Sequence, residues 1–264
     1  MIAQSATWLV NTLCASAGLL FVLWLISVRR RDAGLVDLGW ASGVGLAAVY
    51  IAVAAPGWPV RRMIVAGMAA FWAFRLAFYI LTDRVLTPGE DGRYSYLRQY
   101  WGRRANLYFL PFFVLQSLLV LLFALPFLPL VWNPRAYLSA WELAGIALWL
   151  GAIVGESLAD QQLAAFRADP ANRGRVCRAG LWAYSRHPNY FFEWLHWWAY
   201  VLMAVGTSGW WLSLIGPAAM LLFLLRLTGI PYTEKRALAS RGAAYRDYQR
   251  TTSMFVPLPR RSRT

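Results

Sequence analysis

Arg186, His187, Asn189 and Glu193 fall within eight residues, in the run Ser185-Arg186-His187-Pro188-Asn189-Tyr190-Phe191-Phe192-Glu193. Trp194, Leu195, Trp197, Trp198 and Tyr200 follow at once. A segment this apolar reads as bilayer-embedded. Ionisable groups at its mouth are costly unless they face a water-filled or ligand-filled cavity. A helix start with proline in its first turn accounts for Pro188. It does not account for four hydrogen-bonding side chains beside it, so the run predicts a ligand pocket. Asn189 carries both a donor and an acceptor, which suits an amide ligand. Glu193 lies one helical turn further on and shares its face.

Upstream, Asp160 and Arg167 are seven residues apart and share one face of a helix. Glu156 precedes Asp160 by one turn. Arg175, Arg178 and Arg186 follow. One reading is a basic loop that merely orients the chain. The other is an anion-binding shell, because the planar guanidinium recognises phosphate through paired donors. No G-x-G-x-x-G follows a strand, so a dinucleotide held here would not sit in a Rossmann fold. Near the C-terminus, Tyr245 and Tyr248 follow Gly242, with Glu234 and Arg236 nearby. Their spacing puts both rings on one side of a helix. They read as a polar pocket wall or as an interfacial aromatic belt.

Two further groups sit earlier. Asp37 opens an apolar stretch, either as a first-turn carboxylate favoured by the helix dipole or as a cavity-facing acid. Arg75 lies within Phe71-Trp72-Ala73-Phe74-Arg75-Leu76-Ala77. A cation at such depth requires a partner, and Asp37 is the first candidate. Arg226 reads as snorkelling. Glu90, Asp91 and Arg93 read most simply as a surface salt-bridged turn, with closure over a cofactor as the alternative. Glu142 reads as a solvated interfacial carboxylate.

These residues must be positioned by membrane helices. The 264-residue chain is 59% hydrophobic and 14% charged, with 15 Trp. A soluble domain carries about 25% charged residues. Apolar stretches cover 6–28, 36–55, 63–81, 107–131, 140–158, 191–205 and 210–227. Each approaches the roughly 20 residues a span requires, the sixth being short. The first lacks a basic leader and is too long for a signal peptide, so it reads as a retained helix. Pro111, Pro126 and Pro129 are expected to kink the fourth stretch. Gly206-Thr207-Ser208-Gly209 reads as a tight hairpin.

The formal charge of +14 is carried almost wholly by arginine. Such a charge in a soluble chain suggests nucleic acid. Here it sorts by loop. With the N-terminus outside, 21 basic residues fall on the inner side, against Arg61, Arg62 and Arg135 on the outer. That asymmetry predicts a cytoplasmic C-terminus and no nucleic-acid role. The closing Arg260-Arg261-Ser262-Arg263 is expected to fray against anionic lipid. Cys14 and Cys177 make no disulfide framework, and the two histidines make no metal site.

Taken together, Val36–Trp40, Gly89–Arg93, Ser185–Tyr190 and the tail Glu234…Arg236…Gly242…Tyr245…Tyr248…Pro257 resemble the steroid 5α-reductase family, in its bacterial branch. The similarity covers most of the chain and is firmest from residue 156 onward. The Arg-His-Pro-x-Tyr piece is also similar to the isoprenylcysteine carboxyl methyltransferases, which bind S-adenosylmethionine. The resemblance implies an all-α bundle of seven transmembrane helices in the bacterial inner membrane, with NADPH held on the cytoplasmic side. It implies a substrate-side part over 6–131 and a cofactor-binding part over 132–264. Asp160, Arg167, Arg175 and Asn189 fall on cofactor positions of the family, and Glu193 on a pocket acid. Glu156 stands where the family has Asn. Arg186, His187, Glu234, Tyr245 and Tyr248 complete the implied cofactor set. Asp37 is the nearest counterpart of an acid that holds the substrate ketone. Trp72 falls near the family's Tyr, and Arg75 completes the implied catalytic set. The expected activity is NADPH-dependent reduction of the C=C bond of a flat conjugated enone, a 3-oxo-Δ4-steroid or similar lipid, taken from the bilayer. A membrane methyltransferase is the alternative. A transporter or structural protein, binding no nucleotide, is a third.

Overall fold

The computed structural model describes residues 2–87 and 89–260. Among these residues the regular structure is helical, with one isolated bridge between Ser185 and Ser253. The helices are α1 (Ile2–Arg30), α2 (Leu35–Ala54), α3 (Pro59–Ile80), α4 (Gly92–Trp101), α5 (Ala105–Ala124), α6 (Leu128–Trp132), α7 (Ala140–Ala168), α8 (Pro188–Ala204), α9 (Ile215–Leu222) and α10 (Ile230–Thr251). Six helical segments among the described residues are long and apolar enough to cross a membrane. Seven were expected. The difference is the sixth stretch, which forms α8 with only 17 residues. The prolines expected to kink the fourth stretch differ in effect. Pro111 is accommodated within α5, whereas a 3₁₀ turn at Leu125–Phe127, holding Pro126, separates α5 from α6. Proline removes the donor that would continue the ladder.

The chain forms two compact units. The first comprises residues 1–138 with 206–215, so the hairpin segment groups with the N-terminal helices. In it α2 packs along α3, and α1 along α5. Trp40 meets Trp72 edge-on at 6.0 Å and Phe123 at 5.4 Å. Arg61 and Arg62, counted among the outer-side charges, are held by backbone carbonyls. Arg61 is fully buried and donates to the carbonyls of Asn133, Arg135 and Tyr137. Arg62 donates to the Ala52, Val53 and Ala55 carbonyls at the end of α2. The last carbonyls of a helix have no partner within it, and a guanidinium has five donors to offer them.

The second unit comprises 139–205 and 216–264. α7 and α8 pack closely along each other. A Cβ added at Gly155 would lie 2.4 Å from the Phe192 ring, so only glycine admits this approach. Glu142, expected in solvent, is fully buried. Its carboxylate accepts from Ser139 N at 2.8 Å while Ser139 Oγ accepts from Glu142 N, a complete capping box at the start of α7. A π-turn at Phe223–Leu227 ends the apolar run and hands over to the polar α10. Arg260 does not fray. It donates to the carbonyls of Ala183 and Arg178. Arg261, Ser262 and Arg263 lie outside the described residues.

Candidate functional site

In the second unit the 185–193 run is fixed by its neighbours before it can serve a ligand. Ser185 Oγ donates to Phe255 O at 2.7 Å, and Arg186 N donates to Ser253 O at 2.8 Å. The Tyr248 hydroxyl donates to Trp182 O and lies 3.2 Å from Ser185 O. Pro188 then opens α8 with its nitrogen where no helical donor is needed.

The centre of this arrangement is the Glu234 carboxylate on α10. Arg186 Nε donates to its Oε1 at 2.6 Å, and Gln249 Nε2 donates to its Oε2 at 2.8 Å. His187 Nε2 and the Tyr245 hydroxyl each lie 3.4 Å from Oε1. Arg186 spends another nitrogen on the carbonyls of Gln249 and Thr252. Burial lowers the His187 imidazole below its ordinary value of 6.5, with Glu234 opposing and Arg186 reinforcing the shift. His187 therefore stands neutral, and its ring stacks on Tyr190 at 5.4 Å. Tyr245 and Tyr248 meet edge-on at 5.8 Å and are both buried, packed with Ala237, Val176 and Leu238.

Asn189 Nδ2 donates to Asp160 Oδ1 at 3.0 Å, joining α8 to α7. Glu156 is buried one turn earlier on α7. Glu193 is buried too. Trp197 Nε1 donates to it at 3.4 Å, and His196 Nδ1 lies 3.7 Å away. The five arginines between 159 and 189 divide into two groups. Arg178 pairs with Asp247 at 2.8 Å and lies over the Tyr248 ring, and Arg186 pairs with Glu234. Arg167, Arg173 and Arg175 are exposed.

In the first unit Asp37 occupies the first turn of α2. Arg93 Nη2 donates to its Oδ2 at 2.7 Å, and the Tyr94 hydroxyl donates to its Oδ1 at 2.7 Å. Sequence reasoning named Asp37 but missed Tyr94, which is buried, and set Arg93 aside in a surface turn. The turn is instead half-buried and joined to α2. The signal for Tyr94 was the Gly-Glu-Asp-x-Arg motif immediately before it. Trp72 is buried in α3 against Trp40, and Arg75 is half-buried one turn later. Groups of histidine, cysteine and carboxylate able to hold a metal do not occur among the described residues.

This geometry can do two things chemically. The exposed arginines offer donors to phosphate, beside a helix that carries buried carboxylates. The Asp37–Tyr94 contact holds a phenolic hydroxyl among aromatic rings, and that hydroxyl can polarise a carbonyl oxygen by turning its one proton from Asp37 to the carbonyl.

Comparison with known proteins places the chain in a family without assigning chemistry. The chain is 28% identical over 270 residues to the uncharacterized protein C594.04c of Schizosaccharomyces pombe, covering 89% of this chain and 76% of that one. No solved structure matches it. Residues 23–252, which include every site residue described above, match a family described as protein of unknown function, DUF1295, and the chain belongs to that family.

Proposed function

We propose that the protein is an NADPH-dependent reductase of the C=C bond of a conjugated enone lipid, with a 3-oxo-Δ4-steroid as the model substrate. The observation that carries this reading is the division of the arginines. Arg167, Arg173 and Arg175 remain exposed on a segment that leads into the half-buried Asp160–Asn189 pair. A dinucleotide phosphate needs exposed guanidinium donors, and the Asn189 amide suits a carboxamide. The resemblance to the steroid 5α-reductases over 156–257 supports the same assignment.

NADPH, when bound, supplies the hydride. The chain's own residues bind, orient and polarise. Arg167, Arg173 and Arg175 hold phosphate. Asn189, fixed by Asp160, orients the amide end, and Glu193 closes the floor. Glu234 keeps Arg186, His187 and Tyr245 in place. Tyr94, whose one phenolic proton rests on Asp37 in the unliganded site, turns that proton to the ketone oxygen as negative charge develops there, while Arg93 keeps Asp37 paired. Asp37 itself accepts from a cation and a hydroxyl, so it acts as a carboxylate acceptor and not as the acid.

A second reading, a methyltransferase using S-adenosylmethionine, gains from one observation. Arg178 and Arg186 are neutralised within the chain, so the phosphate shell is smaller than the sequence suggests. Titrating the purified protein with NADPH and with S-adenosylmethionine separates the two. The reductase reading expects NADPH to bind and progesterone to be reduced at its ring double bond. Binding of S-adenosylmethionine alone overturns it.

A further inference from the structure

We infer that the Glu90–Arg98 pair is a positioning device that sets Tyr94 and Arg93 on Asp37, an inference that rests on the reading of Tyr94 as the carbonyl-polarising group. The segment carrying Tyr94 is bounded by two glycines with left-handed backbones, Gly89 at φ 99° and Gly102 at φ 55°. A Cβ at either would meet nothing within 4 Å, so neither end is held by packing. Between them the segment is held by Tyr94, which packs on Phe109 and Phe112, and by the Glu90–Arg98 pair.

The contact is bidentate. Arg98 Nε donates to Glu90 Oε2 and Arg98 Nη2 donates to Glu90 Oε1, both at 2.8 Å. Such paired bonds fix direction as well as distance. Each partner is tied down further. Glu90 Oε1 also accepts from Ala33 N at 2.8 Å, in the turn between α1 and α2. Arg98 Nη1 donates to Asn106 Oδ1 at 3.0 Å, and its guanidinium lies 5.0 Å from the Phe109 ring centroid. Trp24 Nε1 on α1 donates to Asn106 O at 3.0 Å. One ion pair thus joins the α1–α2 turn, α4 and α5, and Asn106 carries the link on to α1.

The register explains why this positions Tyr94. Ala33 and Asp37 are four residues apart, and so are Glu90 and Tyr94. The Ala33–Glu90 bond and the Asp37–Tyr94 bond are therefore successive rungs between the same two segments. Asp91 Oδ1 caps α4 by accepting from Arg93 N and from Arg93 Nε, which starts the helix between the rungs. Arg98, one turn beyond Tyr94, closes the frame from the far side. If the pair is released, α4 pivots about its glycines and the second rung is no longer set by the first.

The test is a double-mutant cycle on the full-length protein in detergent, with Arg98→Ala, Tyr94→Phe and the combination. Progesterone and NADPH serve as probes. The inference expects Arg98→Ala to lower kcat about tenfold or more, with the NADPH dissociation constant unchanged. It expects the double variant to be no slower than Tyr94→Phe, because a misplaced hydroxyl and a missing one are the same defect. Losses that multiply, or a normal kcat in Arg98→Ala, overturn the inference. Hydrogen–deuterium exchange gives an arm free of turnover. Amides over 89–102 should exchange at least tenfold faster in Arg98→Ala, with those over 188–204 unaffected. If the wild type reduces no enone, the functional reading falls, and exchange alone decides the positioning role: unchanged protection overturns it.

Discussion

Arg186 Nε lies 2.6 Å from Glu234 Oε1, and this one contact ties the start of α8 to α10 within the second unit. Both side chains are largely enclosed, at 9% and 15% exposure. Removing one partner leaves the other charge buried. Glu234→Ala is therefore expected to cost about 3–5 kcal/mol, read as a large fall in melting temperature in detergent. Glu234→Gln keeps the acceptor geometry and should lose less. Equal stability of Glu234→Ala and wild type would show that the hub is not structural.

His187 makes stability depend on pH. Its imidazole is neutral when folded, because burial lowers it below 6.5. The unfolded chain takes up a proton as pH falls through 6.5, whereas the folded chain resists. Stability is therefore full above that value and declines below it. Melting temperatures measured from pH 8 to pH 5.5 should fall at the acid end, and His187→Gln should flatten the curve.

The divided arginines give opposite expectations. Arg167→Ala or Arg175→Ala should weaken NADPH binding by about 1.5–3 kcal/mol with little change in stability, the worth of a charge-assisted hydrogen bond. Arg178, spent on Asp247 and on Ala244 O, should do the reverse. Fluorescence titration of NADPH beside a thermal melt of each variant checks the pattern. Nucleotide affinity untouched in both exposed variants would reduce them to topology signals.

Asn189→Ala leaves Asp160 without its amide donor. Loss of reductase turnover with the fold intact is expected. The alternative, a mere helix-start residue, costs about 1 kcal/mol of stability and leaves turnover near normal.

Orientation can be read directly. With the basic residues concentrated as they are, a C-terminal fluorescent reporter should light in the cytoplasm and an N-terminal phosphatase should be active outside. The converse result would place the exposed arginines away from cytoplasmic nucleotide.

The length of the apolar stretches made most of the helices legible, and the prolines marked the break after α5. The pairing of Tyr245 with Tyr248 was legible because it is local to one helix. Glu142 was legible too, since Ser139-x-x-Glu142 is a capping-box pattern, but the hydropathy of its surroundings was weighed instead. Contacts across long separations were not legible. Arg93 reaches Asp37 over 56 residues and Arg186 reaches Glu234 over 48, and nothing in either local sequence names its partner. The burial of Arg61 was hidden for a related reason. Its partners are backbone carbonyls, which every residue carries.

That arrangement has a consequence for how the chain is made. The carbonyls that seat Arg61 come 72, 74 and 76 residues after it. While α3 is emerging, those acceptors do not yet exist. A nascent chain that stops before residue 133 carries a cation whose seat has not been built. Arg61 thus acts as a completion mark for the stretch that runs through Tyr137: its guanidinium is seated only once that stretch has arrived.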